Sequence, residues 1–216
     1  MEEGTGGAIP VLPPTLAGVF LDALAFAGAQ LTWLVERDIR FQGSHAVYAR
    51  LETMLGKSDT GYDNMVTAAY IAFSGGIDGH VLLCMTPEAS NSLACSLLMC
   101  DDITTPQMHY LADSMIGEIA NVAASAFLSA VADFAQLRVL PSPPSVVHDM
   151  LGAVLQSLVV EVAQTQMWGI FIETEIVVEG DALGGTLVLL PSLDSCSRLE
   201  QIAASRPPPL DSATGD

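Results

Sequence analysis

The fold of this chain is decided by one stretch, Asp113-Ser-Met-Ile-Gly-Glu-Ile-Ala-Asn-Val-Ala-Ala-Ser-Ala-Phe127. Within it, Ser114, Glu118 and Asn121 are spaced at i, i+4 and i+7, so at about 100° per residue they occupy an arc of roughly 60° on a helix. The pattern predicts a long helix over residues 107–135 that carries a polar stripe on one side and buries the other. The residues expected to be buried are Met115, Ile119, Val122, Ala126 and Phe127.

The segments on either side of this helix alternate between helical and strand patterns. Turn signals at Ser74-Gly75-Gly76 and Glu179-Gly180-Asp181 separate apolar runs that are typical of strands. Prolines mark several helix starts, and Thr15 and Ser145 are the expected N-caps of two helices. The predicted helices span residues 15–35, 87–98, 107–135, 145–164 and 192–203, and the predicted strands lie within residues 39–52, 65–73, 79–85, 137–140, 170–178 and 185–190.

An internal repeat connects the two halves of the chain. Gly79-His-Val-Leu-Leu-Cys-Met precedes one short helix, and the similar Gly185-Thr-Leu-Val-Leu-Leu-Pro precedes another. The helix around Asp22 likewise parallels the helix around Ser114. We therefore predict an α+β fold with an internal pseudo-twofold α–β repeat, in which a mainly antiparallel sheet carries two long helices packed on one side.

Size and composition allow one domain with a sizeable core, since half of the 216 residues are hydrophobic. We expect the domain to span residues 15–203, between flexible tails at residues 1–14 and 204–216 that are rich in Gly and Pro. The apolar stretch 15–35 is long enough to cross a membrane. It contains Asp22, however, and an acidic segment precedes it, so a core helix and a cytoplasmic location are the better interpretation.

The charge balance excludes some classes of partner. The chain has 25 acidic and 7 basic residues, which gives a formal net charge of −18. Nucleic-acid binding needs clustered Lys and Arg, and an anionic membrane surface would repel this chain. The four cysteines form no CxxC pair, so we interpret them as small buried hydrophobic residues rather than metal or disulfide residues, and the scattered histidines show no ligand spacing. We therefore expect no metal bound by this chain.

The polar stripe taken alone is also compatible with the solvated face of an amphipathic helix. A longer pattern favours a functional site, because Pro144 follows Asn121 after a gap of 22 residues. The chain therefore resembles the CheC/CheX/FliY phosphatase family, whose signature is (Asp or Ser)-x3-Glu-x2-Asn-x22-Pro. The resemblance covers residues 15–203, with residues 145–155 similar to that family's helix after the proline and residues 172–176 similar to its C-terminal strands.

The resemblance implies an activity, a partner and a set of residue roles. CheC-like proteins hydrolyse the aspartyl-phosphate of CheY, the chemotaxis response regulator. Glu118 would pair with the active-site Lys of the receiver domain, and Asn121 would orient the attacking water. Ser114 would support the helix end or the rim of the site, and Pro144 would shape the turn that limits it. Mg²⁺ would belong to the partner, and the receptor-modifying deamidase CheD would be a second partner.

The first helix departs from the family pattern. Many CheC proteins carry a second copy of the motif there, but in this chain Phe26 replaces the acid and Ala29 the amide, with Asp22 at the first position. We expect this helix to be inactive, and we expect its apolar stripe to be core rather than a partner surface. The loss of one motif keeps a rival function open, namely a non-catalytic adaptor that binds a receiver domain or CheD, as in a flagellar switch.

Overall fold

A computed structural model describes residues 11–50, 63–162 and 168–205 of the chain. These residues form five helices and eight strands in one mixed domain. The helices are α1 (Pro14–Val35), α2 (Pro87–Leu98), α3 (Pro106–Ala135), α4 (Leu151–Val162) and α5 (Leu193–Ala204). The strands are β1 (Ile39–Arg50), β2 (Met65–Gly75), β3 (Gly79–Met85), β4 (Val139–Pro141), β5 (Ser145–Met150), β6 (Trp168–Val178), β7 (Asp181–Ala182) and β8 (Gly185–Pro191).

The sheet is antiparallel and has the predicted internal symmetry. Its order is β1-β6-β8-β3-β2, with β4 and β5 both pairing along β2 and the short β7 pairing with β6. The elements α1, β1, β2, β3 and α2 of the first half correspond, in that order, to α3, β5, β6, β8 and α5 of the second half. When each strand is replaced by its counterpart, the strand order of the sheet stays the same. The pseudo-twofold axis therefore passes between β3 and β8, and each half contributes its first strand to the other half.

Both long helices lie on one face of the sheet, as predicted. Phe20 of α1 and Phe127 of α3 stack with ring centroids 6.2 Å apart in the centre of the main core. Both helices are long and apolar enough to cross a membrane, but each buries one side against the sheet and the other helix. The shorter α4 covers the opposite face of the sheet through Leu151 and Val154.

The predicted N-cap at Thr15 is wrong. Helix α1 begins at Pro14 with Pro13 at the N-cap, and no side chain caps it. Proline suits the first helical position because it has no N–H to leave unsatisfied and its φ is already helical, so the helix starts one residue before Thr15. The expected tail also contributes to the core here, since Leu12 is buried, whereas residues 1–10 and 206–216 lie outside the described residues.

The predicted helix from Ser145 is wrong at its start. Residues Ser145–Met150 form strand β5, which pairs with β2 over six residues, and the helix begins only at Leu151. The β-branched pair Val146-Val147 suits a strand, and the pairing satisfies backbone groups of β2 that would otherwise lie at an open edge. The predicted helix end at residue 164 lies outside the described residues.

Candidate functional site

Helix α3 presents the predicted polar stripe at the surface. Thr105 caps the helix by accepting a hydrogen bond from the Met108 N–H at 3.2 Å. Ser114 and Glu118 are exposed, and Asn121 is half-buried. Within residues 11–50, 63–162 and 168–205, the side chains of Glu118 and Asn121 make no hydrogen bond or ion pair, so both are available to another molecule.

Pro144 lies beside this stripe, although it is far from it in sequence. A Cβ built on Gly117 would lie 3.9 Å from Pro144 Cγ and 3.5 Å from Val146 Cγ2. The helix and the start of β5 are therefore in contact next to Glu118. The structure brings all four predicted site residues, Ser114, Glu118, Asn121 and Pro144, to one side of the domain.

The loop that carries Pro144 is fixed to the sheet by Ser142. The Ser142 N–H donates to the Ala72 carbonyl at 2.7 Å, and the Ala72 N–H donates to Ser142 Oγ at 3.1 Å. Pro143 and Pro144 follow as an interruption between β4 and β5, which pair with successive parts of β2. Prolines are tolerated there because β4 and β5 form an edge of the sheet and need fewer N–H donors.

Helical geometry gives the acid and the amide different neighbours. Asn121 follows Gly117 by one turn along the same row, so it lies on the edge of the stripe that faces the Pro144 loop. Glu118 lies about 60° further round the helix, towards solvent. The amide thus lies on the side of α3 nearer to Pro144, and the carboxylate lies on the more exposed side. The surface between this side of α3 and the start of β5 is called the groove below.

A chain of hydrogen bonds crosses the same groove one turn earlier. Asp113 Oδ1 lies 2.7 Å from His148 Nε2, and His148 Nδ1 lies 3.0 Å from Thr67 Oγ1. The Ser90 hydroxyl donates to Thr67 Oγ1 at 3.0 Å. The sequence does not reveal this group, because its members come from α3, β5, β2 and α2. Once residues 145–150 are known to form a strand, the alternation of side chains indicates that His148 lies on the same face as Val146, two residues earlier.

Two exposed apolar side chains extend the stripe towards the start of α3. Tyr110 is 75% exposed and Leu111 is 51% exposed, one turn before Ser114. Large apolar residues that are exposed next to available polar groups are typical of a protein-binding surface. This surface continues the stripe without a break.

The corresponding stripe on α1 lies on the surface, so the expectation that it is core was wrong. Asp22 and Ala29 are exposed, Phe26 is 45% exposed and Trp33 is 79% exposed. The reason is that a different row of α1 side chains is buried, and this row already fills the space between α1, the sheet and α3. The buried row consists of Leu16, Phe20, Ala23, Leu24, Ala27, Gly28 and Leu31.

The groups that bind metals in other proteins do not cluster in the described part of this chain. No set of three His, Cys, Asp or Glu residues there is placed to hold a metal ion. The four cysteines are free thiols. Burial raises the pKa of the Cys84 thiol to about 12, which keeps it protonated and makes it an inert core residue.

The fold and the site together define a pseudo-symmetric α+β domain with one intact acid–amide stripe and one degenerate stripe. Residues 67–165 match the family described as Chemotaxis phosphatase CheX. The CheY-P phosphatase CheC of Bacillus subtilis is 26% identical over 143 residues, which cover 64% of this chain and 68% of that protein. The chain is thus similar in sequence to chemotaxis proteins of the CheC and CheX type.

Solved structures with the same fold include FliY, CheX and FliM proteins. FliY of Thermotoga maritima has a TM-score of 0.67 at 15% identity, over 90% of this chain and 98% of that one. A CheX–CheY–BeF3–Mg²⁺ complex of Borrelia burgdorferi has a TM-score of 0.50 at 15% identity, over 81% and 96%. The FliM middle domain of H. pylori has a TM-score of 0.51 at 12% identity, over 88% and 95%. The relatives therefore include a phosphatase, and the fold is shared with the FliM middle domain.

Proposed function

We propose that this chain dephosphorylates a CheY-type receiver domain in the cytoplasm, through Glu118 and Asn121. The observation that supports the proposal is that a Cβ built on Gly117 would lie 3.9 Å from Pro144 Cγ, so Pro144 lies beside the helix that carries Glu118 and Asn121. The relatives support it at the level of the family, since one is a CheY-P phosphatase and another was solved with CheY.

In this mechanism Glu118 anchors the partner. Its carboxylate is exposed and has no partner among the described residues, so it is available to an active-site Lys of a receiver domain. The exposed Tyr110 and Leu111 add apolar contact area beside it. A charge pair at the rim orients the partner, and an apolar patch that is desolvated on docking supplies affinity. Glu118 is thus a docking residue rather than a general base.

Asn121 acts on the water. Its amide can donate one hydrogen bond and accept another, so it can hold a water molecule in line with the phosphorus while it remains neutral beside the phosphate. The water oxygen forms the new bond to phosphorus, and the partner's aspartyl oxygen leaves with the electron pair of the broken bond. Inorganic phosphate and the free carboxylate are the products. Such a reaction depends on positioning more than on covalent catalysis by the enzyme. The reaction's Mg²⁺ belongs to the receiver domain.

Ser114 and Pro144 have supporting roles in the proposal. Ser114 is exposed one turn before Glu118 and forms the rim of the docking surface. Pro144 lies beside Gly117, one turn before Asn121, and in the proposal its ring limits the space next to the amide.

A second candidate is a non-catalytic adaptor that binds a receiver domain or CheD. It is favoured by the exposed but chemically inert stripe on α1 and by the fold shared with the FliM middle domain. The two candidates differ in one outcome. The adaptor would bind a receiver domain without changing the lifetime of its phosphate.

The test mixes a phosphorylated CheY-type receiver with the purified chain and follows loss of phosphate. We expect the wild-type chain to accelerate the loss and the Asn121→Ala variant to bind without accelerating it. Unchanged phosphate lifetime with the wild-type chain, together with normal binding, would replace the phosphatase with the adaptor.

A further inference from the structure

The hydrogen-bond chain Asp113–His148–Thr67–Ser90 connects four elements around the candidate site. Thr67 is 1% exposed and Ser90 is 4% exposed, whereas the side chains of Asp113 and His148 are about half-exposed. The chain thus runs from the buried α2–β2 contact out to the groove surface. A buried polar group must be paired to avoid a cost in stability. The hydroxyls of Thr67 and Ser90 are both paired within this hydrogen-bond chain.

The donors and acceptors of these four side chains are all matched in an assignment that has an uncharged His148 ring. The Asp113 carboxylate can only accept, so His148 Nε2 carries the hydrogen. The other nitrogen of a neutral imidazole is then an acceptor for the Thr67 hydroxyl, and the Thr67 oxygen accepts from Ser90. All four side chains are satisfied at once. A ring held at both nitrogens has a fixed orientation.

The fixed ring belongs to an edge strand. Within the described part of the chain, β5 pairs only with β2, so its outer side has no strand to hold it. Two contacts attach it to α3, namely the His148–Asp113 bond and the contact of Pro144 and Val146 with Gly117. The hydrogen bond is directional and the apolar contact is not, so the hydrogen bond adds a constraint on the position of β5 along the helix beyond its pairing with β2.

We propose that His148 is a positioning residue, which through its bonds to Asp113 and Thr67 holds β5 and Pro144 at the working distance from Asn121. The proposal rests on the proposed phosphatase function. Loss of these hydrogen bonds lets the Pro144 side of the groove move relative to the Asn121 amide, while Glu118 remains in place. A displacement of about 1 Å can cost a positioning-dependent reaction up to 100-fold in rate.

The test uses variants of His148 and of Asp113, the two residues whose hydrogen bond joins β5 to α3. His148→Phe keeps a planar ring, slightly larger than imidazole, but loses both hydrogen bonds, and Asp113→Ala loses the acceptor on α3. Asp113→Asn retains an acceptor oxygen and serves as the conservative rescue. His109→Phe is the matched control, because His109 is an exposed histidine of α3 that takes no part in this hydrogen-bond chain.

Three quantities are measured on the full chain: the single-turnover dephosphorylation rate at saturation, the affinity for the receiver, and amide hydrogen exchange in residues 145–150. We expect His148→Phe and Asp113→Ala to lower the rate about tenfold or more, with little loss of affinity, and to speed exchange in β5. Asp113→Asn should recover most of the rate, and His109→Phe should match the wild type.

The outcomes separate the two proposals. If the wild type accelerates dephosphorylation and Asn121→Ala does not, but His148→Phe retains the full rate, the positioning role is wrong and the phosphatase stands. If the wild type itself has no effect, the phosphatase is wrong, and unchanged exchange in β5 of His148→Phe would then also remove the anchoring role. Equal loss of rate in Asp113→Asn and Asp113→Ala would contradict the hydrogen bond as the cause.

Discussion

The two halves of the molecule place a long helix and its neighbouring strand in equivalent positions but use them differently. On α3, Asp113 forms a hydrogen bond with His148 of β5, and Gly117 touches Pro144. On α1, Leu21 occupies the position equivalent to Asp113, and it packs so tightly on β1 that a Cβ on Gly43 would lie 2.6 Å from Leu21 Cδ2.

The comparison separates the stripe proposed to be catalytic from the degenerate one. Both stripes are exposed, so exposure alone does not distinguish them. The α3 stripe adds an acid, an amide and a strand held by directional bonds, whereas the α1 stripe has Phe26 and Ala29 beside an apolar contact. A fold supplies the position, and the side chains on it supply the function.

The largest expected effect is the loss of activity in Asn121→Ala. The rate should fall about 100-fold or more, because the amide that holds the water is gone. Binding of a receiver that carries BeF3 should be near normal, because the amide contributes little to docking. The measurement is phosphate release at saturating enzyme. A variant with full activity would show that α3 is no more catalytic than α1.

The next effect is on docking, in Glu118→Lys. Loss of a desolvated interfacial ion pair, with a repulsive charge in its place, should weaken binding by about 2–5 kcal/mol. The matched control is Asp22→Lys, which makes the same charge change on the α1 stripe and should bind normally. Titration of both variants with the receiver checks this. Equal weakening by the two variants would mean that net charge, and not the α3 site, drives binding.

The double variant Glu118→Ala, Asn121→Ala tests whether α1 is inactive. Dephosphorylation should fall to the receiver's own rate, since Phe26 and Ala29 can neither pair with a Lys nor orient water. Residual activity well above that rate would place a second site near Asp22. Because Phe26 and Ala29 are exposed, the companion variant Phe26→Glu, Ala29→Asn should fold with a change of only about 0.5 kcal/mol in unfolding free energy.

The sequence predicts the long helices and the repeat well, because both are regular over many residues. Helices α1 and α3 begin within one residue of the expected positions, and the paired Gly79 and Gly185 strands lie side by side at the centre of the sheet. The prediction of a helix start at Ser145 is wrong because the pairing of residues 145–150 with β2 prevails over the local capping signal.

The parts of the site that the sequence does not reveal are long-range contacts. Asp113 and His148 are 35 residues apart, and Thr67 and His148 are 81 apart, so no local period connects them. The α1 stripe was assigned to the core from its apolar character alone. Composition cannot tell which row of an apolar helix is buried once both rows are apolar.

The smallest expected effect comes from Gly117→Ala, which makes α3 match α1 at this position, where α1 has Ala25. Glycine inside a helix costs about 1 kcal/mol relative to alanine. The new methyl group would lie 3.5 Å from Val146 and 3.9 Å from Pro144, which is ordinary contact. The unfolding free energy should therefore rise by up to about 1 kcal/mol, as measured by urea denaturation, while phosphatase activity is retained. Gly117→Leu is the contrasting variant, because its larger side chain has to displace Pro144 and should slow dephosphorylation. If Gly117→Ala instead lowers stability, the contact between α3 and β5 is tighter than these distances indicate. If Gly117→Leu keeps full activity, the position of Pro144 does not matter to the reaction.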